Sequence, residues 1–305
     1  ETVSFERFTS QFGSPQVRSL VMDHAVLLWI GTGQAGLALF DPTSGEVRRY
    51  THEHGDHHSI SSNRIETIFE DSDHRVWVGT DAGLSLYDRD LGEFVTYRAD
   101  ATDLTSLGDD FVFSIFQDRG GILWIGTRTE GLNKWNPRSW SFGHVKAAGS
   151  HDNALSNTNV TSFTEDGAGN VWVGTFGGGL NVLDRTHAVI DQLRHEAGVA
   201  ASLSDDRVMA LLTDAAGSIW AGTMTGGLNR IDPATGAVTT YRHDPRNPNS
   251  LSADGIMALH QDSGGALLVG TFGGGVSRFD AAAGSFVNFP QDTDDPSTLS
   301  ASRAT

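Results

Sequence analysis

Short apolar runs of four to six residues recur along the chain, each closed by Gly, Asp or Asn, and none continues in the i, i+3, i+4 spacing of a helix. Within one stretch the runs 160–164, 171–175, 180–183 and 189–193 are separated by Asp166, Gly167 and Gly169, then by Gly177 to Gly179, then by Asp184, Arg185 and Thr186. Apolar runs of this length between turn residues predict four β-strands joined by tight turns.

The same set recurs through the chain. Its clearest mark is Trp29-Ile30-Gly31-Thr32, Trp77-Val78-Gly79-Thr80, Trp124-Ile125-Gly126-Thr127, Trp172-Val173-Gly174-Thr175, Trp220-Ala221-Gly222-Thr223 and Leu268-Val269-Gly270-Thr271. The glycines at 31, 79, 126, 174, 222 and 270 are separated by 48, 47, 48, 48 and 48 residues. A second mark, at Ile60, Leu107, Leu155, Leu203, Leu251 and Leu299, keeps the same interval. Four strands per ~40–50 residues, with an aromatic and a glycine at fixed places, are the mark of a propeller blade.

The predicted fold class is therefore all-β, a β-propeller of four-stranded blades read as one domain over 1–305. Six complete blades are expected at about 16–50, 64–98, 111–145, 159–194, 207–242 and 255–290. Residues 1–10 read as an orphan outer strand and 298–305 as the start of a further blade. Because such a strand can close a ring by pairing with a C-terminal blade, a truncated seven-bladed ring is the preferred expectation, with six blades as the alternative.

Blades stack face to face, so each Trp is expected to wedge between neighbours. Burying ~200 Å² of aromatic surface at ~25 cal/mol per Å² is worth on the order of 5 kcal/mol before entropy. Gly31 and its equivalents mark close approach, and Gly36, Gly83, Gly131, Gly179, Gly227 and Gly275 mark turns needing positive φ. Ser19, Thr67, Ser114, Ser162, Ala210 and Ala258 are all small, as expected of first strands converging on an axis.

Composition narrows the function. Lys plus Arg number 21 against 38 Asp plus Glu in 305 residues, a net charge of −17. So acidic a surface repels phosphate backbones and anionic lipid, so neither nucleic-acid binding nor membrane contact by this segment is expected. The absence of cysteine removes disulfides, thiol catalysis and thiolate metal sites. No run of ~18 apolar residues occurs, and the opening at Glu1, without a basic-then-apolar leader, is that expected of a processed or excised segment.

The stretch Tyr241-Arg242-His243-Asp244-Pro245-Arg246-Asn247-Pro248-Asn249-Ser250-Leu251-Ser252, followed by Asp262, Gly265, Gly270-Thr271 and Gly274-Gly275-Val276, resembles the two-component regulator propeller repeat. The resemblance covers nearly the whole chain. Leu268 departs from it in place of Trp, and Asp73-His74 stands where the pattern has Gly. It implies a non-enzymatic sensor, periplasmic or extracellular, within a membrane-anchored hybrid histidine kinase or diguanylate cyclase, and leaves room for a homodimer of the intact receptor.

Three sets of residues are candidates for chemistry. His52, His54, His57 and His58 with Asp56 offer donors suited to Zn²⁺ or Ni²⁺. His52 shares its repeat position with His195 and His243, however, so the loop is read as structural, and no metal or cofactor is expected. Asp23, Asp71, Asp118, Asp166, Asp214 and Asp262 recur before the second strand, and one active site has no use for six equivalent acids. They are read as turn residues, and no catalytic residue is assigned.

The third set varies within a constant frame. Gly33, Asp81, Arg128, Phe176, Met224 and Phe272 follow Gly-Thr, and Gln16, Arg64, Phe111, Asn159, Arg207 and Gly255 precede the first strand. Both turn types are expected at one mouth of the axial channel, where a repeat scaffold builds its binding surface. Arg64, Asp81, Phe111, Arg128, Asn159, Phe176, Arg207, Met224 and Phe272 are therefore the candidate ligand-binding residues, suited to a small anionic molecule or an oligosaccharide. The competing reading has Phe and Met filling the channel and Arg pairing with surface acids. Other functions weighed are a protein-docking scaffold and a streptogramin-lyase-like enzyme, for which His260 and Glu66 are the odd residues available.

Overall fold

The computed structural model describes residues 16–136, 141–145, 154–291, 298, 299 and 304. Among the described residues there are 24 strands and no helix, arranged as six antiparallel four-stranded sheets with the strands of each in chain order. The first blade runs from β1 (Val17–Met22) to β4 (Val47–Tyr50) and the second from β5 (Ile65–Glu70) to β8 (Glu93–Tyr97). The third runs from β9 (Val112–Gln117) to β12 (Ser141–Val145), and the fourth from β13 (Val160–Glu165) to β16 (Val189–Leu193). The last two extend from β17 (Val208–Thr213) to β20 (Val238–Tyr241) and from β21 (Ile256–Gln261) to β24 (Ser285–Phe289). The fold is a β-propeller of six such blades among the described residues, the number held as the alternative and not the seven of the preferred expectation. Contacts divide it into two compact units, one holding blades one to three and the other blades four to six from Thr161 onward.

Register explains the small residues. Gly31 pairs with Ser19, Gly79 with Thr67, Gly126 with Ser114, Gly222 with Ala210 and Gly270 with Ala258, each beside an irregularity in the first strand. A Cβ on Gly31 would lie 2.6 Å from Ile65 Cγ2, so it is the next blade that requires glycine here. Gly36, Gly83, Gly131, Gly179, Gly227 and Gly275 all adopt positive φ, between 72° and 130°.

The tryptophans are inter-blade wedges. Trp29 packs with Ile65, Ile68 and Val76 of the second blade, and Trp77 with Val112, Ile115 and Leu123 of the third. In the other unit Trp172 meets Val208 and Ile219, and Trp220 meets Ile256, Leu267 and Phe279. Each indole N–H is also held by the repeated aspartate: Trp29, Trp77, Trp124, Trp172 and Trp220 donate to Asp23, Asp71, Asp118, Asp166 and Asp214 at 2.8–3.0 Å. Burial pushes the Asp23 and Asp166 carboxyls up, but their indole and backbone N–H donors, with Arg89 at Asp23, outweigh it and hold both below the usual range.

The recurring histidine is structural as well. His52, His195 and His243 donate through Nδ1 to the carbonyls of Ile60, Leu203 and Leu251 at 2.7–2.8 Å, stapling each inter-blade loop. The expected outer strand in 1–10 lies outside the described residues. Of 298–305, Ala304 donates its N–H to Thr271 O at 3.0 Å and lies against Gly270, much as Ile256 lies against Gly222.

Candidate functional site

In the first, third, fifth and sixth blades the residue after Gly-Thr is tied to the residue before the first strand by a backbone hydrogen bond. Gly33 donates to Gln16 at 3.0 Å, Arg128 to Phe111 at 3.1 Å, Met224 to Arg207 at 2.9 Å and Phe272 to Gly255 at 2.7 Å. The two variable sets therefore share one end of these blades. The Thr hydroxyls of the Gly-Thr pairs fix the turn, as Thr127 Oγ1 does by donating to Gly131 O at 2.8 Å.

In the unit of blades one to three this end gathers Arg64, Phe111 and Arg128. The guanidinium carbon of Arg64 lies 5.4 Å and that of Arg128 5.2 Å from the Phe111 ring centroid, and Phe113 packs beside it at 4.6 Å. Asp109 locks the two turns together, accepting the Phe111 N–H through Oδ1 and the Thr129 N–H and hydroxyl through Oδ2. Arg64 also donates to Glu66 Oε1 at 2.6 Å, while Arg18 takes the other oxygen of that buried carboxylate. Arg128 is exposed and makes no ion pair among the described residues. Asp81 and Asn159 are half-buried at the corresponding positions of their blades.

In the unit of blades four to six the arginine is engaged differently. Arg207 grips Asp205 through Nε at 3.1 Å and a terminal nitrogen at 2.8 Å, and the latter also reaches Thr225 Oγ1. Burial pushes the Asp205 carboxyl up, but the Arg207 and Thr225 donors outweigh it and lower it to about 2. Phe176 pairs with Arg207 through an isolated bridge, Phe176 and Phe272 present exposed rings, and Met224 is half-buried.

Arg64 and Arg207 thus carry carboxylate partners, while Arg128 has no ion pair among the described residues. The signal for the clamps was present in the chain as Asp109 and Asp205, each two residues before the variable position, with Thr129 and Thr225 twenty residues on. Glu66, the odd acid of the enzyme reading, is held by two guanidinium groups, and His260 is exposed on β21. A cleft of about 560 Å³ is lined by His52, His54, Asp56 and His57, and His58 turns away to Glu93 at 3.0 Å.

Residues 59–82, 106–129 and 154–177 match the family model described as two component regulator propeller. No curated protein matches the chain. Among solved structures, an extracellular domain assigned to the hybrid two component system BT3049 of B. thetaiotaomicron is similar with a TM-score of 0.82 at 22% identity, over 99% of this chain and 38% of that one. An extracellular domain assigned to the hybrid two component system BT4673 from the same organism matches with a TM-score of 0.57 at 20% identity, over 97% of this chain and 44% of that one. Virginiamycin B lyase of Staphylococcus aureus shares the fold at a TM-score of 0.68 and 12% identity, over 93% and 86% of the two chains. Among the described residues no helix is long and apolar enough to cross a membrane. With its marks repeated at a fixed interval and three copies matched by the family model, this chain is a β-propeller that carries two component regulator propeller repeats.

Proposed function

We propose that the propeller is the non-enzymatic, ligand-sensing part of a periplasmic or extracellular receptor, and that it holds a small anionic molecule or an oligosaccharide at the turn end of its blades. The observation that carries this reading is Phe111 flanked by Arg64 and Arg128, with Arg128 exposed and free of a carboxylate. A planar cation beside an aromatic face suits a sugar ring bearing a carboxylate or phosphate. The extracellular domains to which the chain is similar support the location, and the engagement of Glu66 by two arginines argues against its acting as a free acid or base.

For a ligand to shift a receptor tenfold between two states it must favour one by ~1.4 kcal/mol, within reach of a single guanidinium contact. The test is calorimetric titration of a panel of acidic mono- and oligosaccharides against the protein and its Arg128→Ala and Phe111→Ala variants. The reading expects both variants to lose a binding heat that the parent shows. Equal binding by parent and variants rejects it. A protein partner docking on the acidic surface is the second reading, favoured by the net charge of −17, and its binding would weaken steeply with added salt.

A further inference from the structure

We propose that His24, Glu70 and His74 form a binding site for a divalent transition cation of the Zn²⁺ type on the seam between the first and second blades. The site lies in the turns that follow the first strands, the opposite end of the antiparallel blades from Arg64, Phe111 and Arg128. It is independent of the sensing reading.

Neither histidine is what the turn requires. The place of His74 is held by Gly121, Gly169, Gly217 and Gly265 in later blades, at φ of 83° to 85°. His74 adopts φ 63° there, a left-handed conformation that costs a residue bearing a Cβ. His24 stands where other blades have Ser72, Arg119, Gly167, Ala215 and Ser263. Two imidazoles at these neighbouring turns are a local addition to the repeat.

Glu70 also stands at a structural position, one held by Glu165 in the fourth blade. Gln117 and Gln261 occupy its place in the third and sixth blades and accept the N–H of Ser72 and Ala215 in the preceding blade at 2.7 and 3.0 Å. Glu70 Oε2 makes that contact with the His24 N–H at 2.8 Å. A neutral amide suffices for this contact in those blades, so the contact itself does not require the charge of Glu70. Its other oxygen, Oε1, lies 2.5 Å from His24 Nδ1 and 3.7 Å from His74 Nδ1.

The three donors are nearly assembled. The imidazoles stack with centroids 4.0 Å apart, and one ligand atom from each residue falls within 4.8 Å of the others. Metal–ligand bonds of ~2.0–2.2 Å place adjacent donors about 3 Å apart, so small side-chain rotations complete the set. Two imidazoles and one carboxylate are borderline N and O donors, suited to Zn²⁺ and not to Mg²⁺. The side chains of His24 and His74 are 40% and 59% exposed, which leaves room for water as the remaining ligands. Arg89 reaches both Glu70 Oε1 at 3.2 Å and Asp23 Oδ2 at 3.0 Å, so it can stay on Asp23 when a cation takes Oε1.

The test is titration of ZnCl₂ into the protein by calorimetry, with MgCl₂ as the comparison ion and the unfolding midpoint as a second readout. His74→Gly restores the residue of the four later blades and Glu70→Gln the amide of two of them, so both variants are compatible with the fold. A triple variant, His54→Ala with His57→Ala and His58→Ala, removes the other histidine cluster. The proposal expects parent and triple variant to bind one Zn²⁺ equally, each single variant to bind at least tenfold more weakly, and the Zn²⁺-induced rise in midpoint to vanish in His74→Gly. Unchanged affinity in the single variants, loss of binding in the triple variant, or no Zn²⁺ binding by the parent would each overturn it.

Discussion

The Trp172 indole N–H donates to Asp166 Oδ2 at 3.0 Å, while Oδ1 of the same carboxylate accepts the amides of Ala168 and Asn170 at 2.9 Å each. One side chain thus closes the turn between the first two strands of a blade and fixes the ring that wedges against the next blade. A mark that resembles a row of catalytic acids is a row of anchors.

Replacing that carboxylate by an amide separates the two tasks. In Asp166→Asn the amide oxygen can still accept the turn amides, but the NH₂ group then faces the indole N–H, donor to donor. Hydrogen bonds to charged groups are worth about 1.5–3 kcal/mol, so a loss of that order is expected in thermal or urea unfolding. The sixth blade supplies the comparison: Leu268 stands there in place of Trp, so Asp262→Asn, which has no indole to lose, should cost distinctly less.

Acid should act through Asp205. Its folded value of about 2 lies below the ordinary 3.8, so the unfolded chain takes up this proton first as pH falls. The stabilisation it provides is complete above pH 3.8 and disappears as pH drops toward 2, a loss on the order of 2 kcal/mol. Unfolding midpoints measured from pH 5 to pH 2 should fall less steeply in Asp205→Asn than in the parent. Parallel curves would show that the Arg207 clamp carries no net stability.

Glycine at the blade seam is tested by adding one methyl. A Cβ on Gly31 would meet Ile65 Cγ2 at 2.6 Å and Ile65 Cβ at 3.0 Å, across a seam packed on both sides. Gly31→Ala is expected to cost about 1–3 kcal/mol through overpacking. Gly167→Ala, with no atom within 4 Å of the added carbon, should be neutral or slightly stabilising in the same unfolding assay.

The parts of the molecule legible in the sequence are those that repeat in phase. Glycines 47 or 48 residues apart, tryptophans at the second strand and small residues at the first all recur because every blade solves the same packing problem. The contacts that decide local chemistry join adjacent blades, Arg18 with Glu66 within one column of the repeat, and His24 with Glu70 and Ser72 with Gln117 across different columns. Comparing the blades position by position sets His24 beside Ser72 and Glu70 beside Gln117, and so conceals that a turn in one blade faces a strand end in the next. Arg128, Phe111 and Arg64 stand out in the sequence because each occupies a variable place in a constant frame. Their packing around one ring, with Glu66 already drawing on Arg64, required three-dimensional placement.

Glu66 supplies an ordering of three variants. Its side chain is 2% exposed, whereas those of its partners Arg18 and Arg64 are 26% and 45% exposed. Removing Arg18 leaves a buried carboxylate with one remaining cation, so the loss should stay below the about 3–5 kcal/mol that a wholly uncompensated buried charge costs. In Glu66→Gln two guanidinium groups are left that can turn into water, and the amide still accepts one of them, so the loss should be nearer 1–2 kcal/mol. Arg18→Ala is therefore expected to unfold at the lowest temperature, Arg64→Ala next because Arg64 is the more hydrated partner, and Glu66→Gln last. The Glu66→Gln variant also leaves Arg64 beside Phe111 without its competing carboxylate. An anionic ligand bound at Arg128 should then bind more tightly to this less stable protein. Tighter binding would place Arg64 at the ligand, and unchanged affinity would confine it to the Glu66 ion pair.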